Sequence, residues 1–142
     1  MVKARKRFGQ NFLIDEGVID RIGSAVGLND SDRVLEIGPG SGAITSGLHE
    51  IAKKNYTAIE VDRDLVRLLG DRYPNLTILN EDVLQVNFDS LIGENEVRII
   101  GNLPYNITTP LLFRLMSMSS RSRVRDFHFM VQKEVAARLA AS

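Results

Sequence analysis

Two short stretches of this 142-residue chain carry residue types that could do chemistry. The first, Glu36–Gly42, reads Glu-Ile-Gly-Pro-Gly-Ser-Gly, and its glycines would let the backbone approach a ligand closely. The second is Asn102-Leu103-Pro104-Tyr105, which directly follows the apolar run Val97–Ile100. The first stretch is suited to an adenosine cofactor and the second to a flat ring that carries an amino group. In this order, the two suggest methyl transfer from S-adenosylmethionine to an exocyclic amine.

The tetrapeptide offers two hydrogen-bond acceptors for one amino group. Asn102 has a side-chain carbonyl on a short stem, and Pro104 holds Leu103 extended, so that the Leu103 carbonyl can converge on the same amine. Hydrogen bonds to both acceptors would favour a tetrahedral, nucleophilic nitrogen over one delocalised into adenine. Tyr105 can stack on the base, and transfer then depends mainly on alignment rather than on a general base. A polar turn at a strand end is the alternative for the tetrapeptide by itself.

Two acidic residues follow the next two apolar runs and could hold an adenosine. Glu60 lies twenty positions after Gly40, where a carboxylate can accept hydrogen bonds from both ribose hydroxyls. Asp82 could accept from the adenine amino group, although a helix N-cap explains it equally well. Asp62 and Asp64 are better explained as helix caps and solvated charges.

The glycine stretch does not by itself identify the cofactor. Gly38, Gly40 and Ala43 also fit the looser dinucleotide fingerprint, and a ribose-binding acid serves NAD as well. Pro39 and the additional Gly42 argue against that fingerprint. An NAD-dependent oxidoreductase therefore remains an alternative, although it gives the tetrapeptide no role.

Apolar runs of strand length alternate with helical patterns along the whole chain, which predicts an α/β fold with a mainly parallel sheet. The predicted strands are Val34–Ile37, Thr57–Val61, Leu76–Leu79, Val97–Ile100 and Phe127–Val131. The predicted helices are Asp15–Val26, Ala43–Lys53, Arg63–Arg72, Val83–Ile92 and Pro110–Met118.

Composition excludes several classes of site. There is no cysteine, and acidic and basic residues balance at 18 each, so disulfides, thiolate metal sites and a strongly charged chain are excluded. His49 and His128 are not spaced for a metal, and no metal is expected. No apolar run approaches a membrane span, and no apolar segment follows the basic start, so we expect a cytoplasmic protein without a membrane partner.

Two basic clusters stand out within the balanced total. Lys3, Arg5, Lys6 and Arg7 could bind RNA phosphates, with a solvated tail as the alternative. A second cluster lies shortly before the predicted fifth strand. We expect it to form a solvated loop at the edge of the sheet that lies opposite the catalytic edge. It consists of Arg121, Arg123 and Arg125.

The chain resembles the bacterial branch of the small-subunit ribosomal RNA adenine N6-dimethyltransferase family. The segments that carry the resemblance are Arg7–Leu13, Leu35–Gly42, Ala58–Asp62, Asn102–Asn106 and Met130–Val135. The first is similar to the family's N-terminal cofactor-lid motif, which a generic methyltransferase does not require. The resemblance implies a Rossmann-like class I methyltransferase that dimethylates two adjacent adenines near the 3′ end of small-subunit RNA. It also implies action on a partly assembled small subunit and a role in its biogenesis.

The resemblance also implies roles for individual residues. The cofactor-binding set would be Gln10, Asn11, Leu13, Gly38, Gly40, Glu60, Asp82, Val83 and Asn102. Within it, the first three would contact the methionine part and Asp82 with Val83 the adenine. Asn102 would touch both the cofactor and the target amine. The rest of the target site would be Leu103, Pro104 and Tyr105.

Members of that family carry further strands and a C-terminal helical domain that this chain lacks. We therefore expect an N-terminal fragment with a sheet truncated after the fifth strand. Residues 1–14 would be a basic segment with the lid motif, and residues 15–142 an incomplete Rossmann-like domain. Two further alternatives stay open: a large-subunit RNA adenine methyltransferase of the macrolide-resistance type, and a non-catalytic RNA-binding module in ribosome assembly.

Overall fold

A computed structural model describes residues 23–130 of the chain. Its strands are β1 (Val34–Ile37), β2 (Tyr56–Ile59), β3 (Thr77–Leu79), β4 (Val97–Asn102) and β5 (Val124–Met130). Its α-helices are α1 (Thr45–Ala52), α2 (Arg63–Arg72), α3 (Phe88–Ile92) and α4 (Tyr105–Ser117). Short 3-10 turns cover Lys53–Asn55 and Ser119–Arg123, and residues 23–26 are also helical. Within residues 23–130, no helix is long and apolar enough to cross a membrane.

The five strands form one sheet in the order β3-β2-β1-β4-β5, and every neighbouring pair is parallel. The predicted parallel α/β fold is thereby confirmed. The chain runs outward from β1 to β3 and then returns to the other side of β1 with β4. Ligands of such sheets bind at the carboxyl ends of the strands near this reversal.

Each face of the sheet carries its own apolar cluster. On one face, Ile37 and Ile99 pack with Leu111 and Leu115 of α4. The other face includes Tyr56, which is fully buried and packs in a second cluster with residues of α1 and of the helical residues 23–26. Strand residues alternate between the two clusters because successive side chains point to opposite faces.

A buried ion cluster fastens the end of the helical residues 23–26 to the amino ends of the strands. The Arg98 guanidinium donates to Asp32 at 3.0 Å and to Asp126 at 2.9 Å, and it also donates to the carbonyls of Val26 and Gly27. Burial alone would raise the pKa of Asp32, but hydrogen bonds from the Asn29 N–H and from arginine hold that pKa below its usual range.

Two predicted helices begin elsewhere. Helix α3 starts at Phe88 rather than at Val83, because Asn87 accepts from the N–H of Ser90 and caps the helix there. Helix α4 starts five residues before Pro110, which lies inside it. Proline favours the first turn of a helix because it has no N–H to donate, but Pro110 lies beyond that turn, where it cannot donate the usual hydrogen bond to the residue four positions earlier.

The predicted fifth strand begins three residues too late, so one expectation for the arginine cluster is wrong. Arg125 lies in β5, where its guanidinium forms an ion pair with Asp32 at 2.8 Å. Arg121 lies in the 3-10 turn, and its guanidinium stands 5.0 Å from the centre of the Phe127 ring. These arginines pack against the protein and are not simply a solvated loop.

We predict that Arg98→Met lowers the free energy of unfolding by about 3 kcal/mol, because it removes a charged donor from the buried Asp32 carboxylate, the ion pair with Asp126 and the donor of the helix-end carbonyls. Urea unfolding at pH 7 measures the change. Arg67→Met on the exposed side of α2 is the matched control and should change stability by about 0.5 kcal/mol or less. An equal loss in the two variants would contradict the importance of the cluster.

Candidate cofactor and amine site

A cleft opens at the carboxyl ends of β1, β2 and β4, where the strand order reverses. It encloses about 560 Å³ of space free of protein atoms, its open mouth included. Six of the predicted site residues line it: Gly38, Glu60, Asp82, Val83, Leu103 and Pro104. Both of the stretches that the sequence singled out therefore contribute to one cleft.

The two stretches touch each other directly at Gly38. This residue has a φ of +67°, which favours glycine, and its N–H donates to the Ile59 carbonyl at 2.9 Å. A Cβ atom at Gly38 would lie 2.6 Å from Cδ2 of Leu103 and 3.3 Å from the carbonyl oxygen of Asn102. The turn after β1 therefore packs against the chain leaving β4 at a distance that a side chain would prevent.

The carboxylate of Glu60 is buried beside this turn, with 2% of the residue exposed. One oxygen accepts from the Gly40 N–H at 3.1 Å and the other from the Asp62 N–H at 3.0 Å. Burial raises the pKa of Glu60; the two N–H donors partly offset the effect, and the nearby Asp62 adds to it. Each carboxylate oxygen has a second acceptor position, so the fixed carboxylate can still receive two ribose hydroxyls.

The next two aspartates have different structural roles. Asp62 caps α2, since its side chain accepts from the N–H groups of Asp64 at 2.9 Å and Leu65 at 3.4 Å, as predicted. Asp82 is exposed on the cleft wall and accepts from the Leu84 N–H at 2.9 Å. It closes a local turn rather than capping a helix, and its carboxylate keeps acceptor positions that a ligand can use.

A second buried acid, Glu36, lies in β1 below the glycine turn. Its Oε1 accepts from the Thr45 hydroxyl at 2.5 Å and from the Tyr56 hydroxyl at 2.7 Å. These bonds join β1 to the first residue of α1 and to β2. Burial raises the pKa of Glu36 to about 7, and the two hydroxyl donors moderate the shift.

The remaining predicted residues fall into two groups. Asn102 is half-buried as the last residue of β4 and borders the cleft without lining it, while Tyr105 begins α4. Gly40 contributes its N–H to Glu60 and is not among the lining residues either. The predicted lid and RNA-binding residues lie outside residues 23–130: Gln10, Asn11, Leu13, Lys3, Arg5, Lys6 and Arg7.

Sequence reasoning gave no role to several residues of the cleft wall, among them Val61, Glu81, Asn106 and Ile107. Val61 carries a recognisable signal, because it is a large apolar residue that is 47% exposed directly after the buried Glu60. An apolar side chain at that position can lie against a flat ring.

We predict that Gly38→Ala lowers the free energy of unfolding by about 1–3 kcal/mol, because alanine is strained at this φ and its Cβ would collide with Leu103. Chemical denaturation measures the effect. Gly47→Ala in α1 is the control, since a Cβ there meets nothing within 4 Å, and it should raise stability by about 0.5–1 kcal/mol. A stabilised Gly38→Ala would refute the close packing.

We also predict a pH dependence of stability from Glu36. Its folded pKa of about 7 exceeds the ordinary value of 4.5, so the folded state binds this proton more tightly than the unfolded state. The contribution of Glu36 to the free energy of unfolding should therefore be largest below pH 4.5. It should fall by about 3 kcal/mol as the pH rises to 7. Glu36→Gln should flatten this part of the pH profile, and Glu50→Gln, which is exposed on α1, should leave it unchanged.

Similarity to known proteins identifies the family of this chain. A family model for "Ribosomal RNA adenine dimethylase" matches residues 1–142. The chain is 48% identical to "Ribosomal RNA small subunit methyltransferase A" of Marinomonas sp. (strain MWYL1), covering 98% of this chain and 53% of the relative. It is 49% identical to the protein of the same name from Marinobacter nauticus, covering 98% and 50%. The chain thus spans about half the length of these curated relatives.

Solved structures are similar in fold. A dimethyladenosine transferase from Plasmodium falciparum has a TM-score of 0.70 at 31% identity, over 93% of this chain and 47% of that one. The 23S rRNA methyltransferase ErmE has a TM-score of 0.66 at 29% identity, over 77% and 44%. The sheet is therefore that of class I S-adenosylmethionine-dependent methyltransferases, and the chain belongs to the ribosomal RNA adenine dimethylase family.

Proposed function

We propose that this chain binds S-adenosylmethionine in the cleft and forms the core of an enzyme that methylates adenine amines of ribosomal RNA. The target would be the two adjacent adenines near the 3′ end of small-subunit RNA, each of which receives two methyl groups. The observation that carries the proposal is the contact between Gly38 and Leu103, because it joins the cofactor turn to the amine-binding tetrapeptide.

The cleft wall supports a specific placement of the cofactor. Glu60 is fixed so that its carboxylate can receive the ribose hydroxyls, and Asp82 stands on the wall where it can accept from the adenine amino group. Val61 and Val83 supply apolar surface beside them. Gln10, Asn11 and Leu13 are proposed to contact the methionine part.

The amine site is proposed at the carboxyl end of β4. The bound cofactor would supply an activated methyl group on a sulfonium. The Asn102 side chain and the Leu103 carbonyl would accept from the target amine, which keeps its lone pair out of the ring and directed at that methyl group. Pro104 holds Leu103 extended, and Tyr105 would stack on the base. Positioning supplies most of the acceleration in this arrangement.

The small-subunit target is supported by the comparisons. The curated relatives named for the small subunit are 48–49% identical over 98% of this chain, whereas the 23S methyltransferase structure is 29% identical over 77%. Within the proposal, the enzyme acts in the cytoplasm on a partly assembled small subunit, where Lys3, Arg5, Lys6 and Arg7 contact RNA phosphates.

Calorimetric titration of the chain with S-adenosylmethionine tests the cofactor, with NAD as the parallel ligand. We expect binding of S-adenosylmethionine and no heat from NAD. Binding of NAD alone would contradict the proposal and revive the oxidoreductase alternative. Binding of neither would contradict cofactor binding by this chain.

We predict that Asn102→Ala reduces methyl transfer to undermethylated small ribosomal subunits at least about a hundredfold, because the amine loses a positioning acceptor. Affinity for S-adenosylmethionine should fall by less than about tenfold, and Asn95→Ala is the exposed control.

The transfer assay separates the alternatives. Transfer to naked large-subunit RNA with small subunits untouched would support the macrolide-resistance type. Subunit binding that persists in Asn102→Ala, together with no transfer by the unmodified chain, would support a non-catalytic assembly module. Full transfer by Asn102→Ala would refute the role of Asn102.

A further inference from the structure

The turn that carries Glu60 is held by Asn80, a residue that is not among those lining the cleft. Backbone pairing between β2 and β3 ends with the Glu60 N–H, which donates to the Leu79 carbonyl at 2.9 Å. Beyond this point the Asn80 side chain takes over, since its Nδ2 lies 3.0 Å from the carbonyl of Glu60 and 3.0 Å from that of Val61. The Asn80 side chain thus supplies hydrogen bonds to the β2 side just beyond the point where backbone pairing of β2 and β3 ends.

The chemistry of these contacts identifies which group Asn80 must present. Both partners are carbonyl oxygens, which only accept hydrogen bonds, so the amide nitrogen and not the amide oxygen faces them. Aspartate has nearly the same shape, but it has no donor and would place a charge against two carbonyl dipoles. The site therefore requires an asparagine-like donor and not merely a polar residue of this size.

Glu60 is consequently constrained on two sides. Its main chain is held by Asn80, and its carboxylate is held by the N–H groups of Gly40 and Asp62. The carboxylate can face a ribose in one orientation only while the main chain beneath it stays in place. Removing the Asn80 donor frees the carbonyls of Glu60 and Val61 and allows the turn to shift.

We propose that Asn80 is a positioning residue for cofactor ribose recognition and acts through Glu60. This inference rests on the proposed function, in which Glu60 binds the ribose. Asn80 itself is not among the residues that line the cleft, and it would not contact the cofactor. Its effect should therefore be confined to the part of the affinity that the ribose hydroxyls supply.

The test compares adenosine with 2′,3′-dideoxyadenosine, which lacks both ribose hydroxyls, as ligands of the chain, by calorimetry. In the unmodified chain adenosine should bind more tightly, because Glu60 can receive both hydroxyls. Asn80→Ala should weaken adenosine about five- to tenfold while leaving 2′,3′-dideoxyadenosine, which offers Glu60 no hydroxyl, within about twofold, so that the discrimination collapses. Asn80→Asp should weaken adenosine further. In a Glu60→Ala background, Asn80→Ala should have no additional effect on either ligand.

Asn75→Ala is the matched control, since Asn75 is an exposed asparagine that precedes β3 as Asn80 follows it. It should leave both affinities unchanged. Equal weakening of the two ligands by Asn80→Ala would mean a general structural role and would overturn the proposal. Unchanged discrimination in Asn80→Ala would overturn it as well.

A second measurement without ligand keeps this inference distinct from the proposed function. Amide hydrogen exchange by NMR reports the Gly40 and Asp62 N–H groups that hold the Glu60 carboxylate. Asn80→Ala should speed their exchange about tenfold and Asn75→Ala should not. If the unmodified chain binds no adenosine ligand, faster exchange would still support positioning of Glu60 while refuting the proposed function. Unchanged exchange would refute the positioning.

Discussion

The cleft depends on one close approach, between the turn after β1 and the chain that leaves β4. Parallel pairing sets Ile37 beside Gly101, so the residues that follow must pass each other at the same edge of the sheet. They can do so because Gly38 has a positive φ and no side chain in the path of Leu103. The proposed function of the cleft depends on this contact, because it places the cofactor-binding turn next to the amine-binding turn. A cofactor and its target amine could then bind side by side.

The buried acidic side chains near the two ends of the sheet have different hydrogen-bond partners and opposite pKa shifts. At the amino ends, Asp32 and Asp126 are paired with Arg98, and the pKa of each carboxyl is lowered despite burial. Near the carboxyl ends, the donors that Glu36 and Glu60 have within residues 23–130 are neutral hydroxyl and N–H groups, and burial raises both pKa values. The ion cluster at Arg98 fastens the helical residues 23–26 to the sheet. The arrangement at Glu36 and Glu60 keeps acceptor capacity near the cleft at a cost in stability, as is common at functional sites.

The sequence predicted much of this because the relevant signals are local. Apolar runs followed by Gly38, Glu60 and Asn102 mark strand ends, and a parallel sheet brings strand ends together whatever the details of packing. The wrong predictions of helix and strand starts also came from local signals. Proline favours helix starts and so predicted one at Pro110, but this residue lies inside α4, where it cannot donate a backbone hydrogen bond. The charged start of β5 concealed Arg125 as a strand residue that forms an ion pair with Asp32.

Asn80 shows where such reasoning necessarily stops. In the sequence it is one more polar residue after a strand, in a position where a turn or a cap is the ordinary explanation. Its importance comes from register: Leu79 pairs with Ile59, which places the first side chain after β3 beside the carbonyls just beyond β2. No spacing rule within one segment contains that information, because it depends on how two strands are aligned. The carboxylate that faces the cleft could be predicted from its own strand, whereas the residue that holds it in place required the alignment of two.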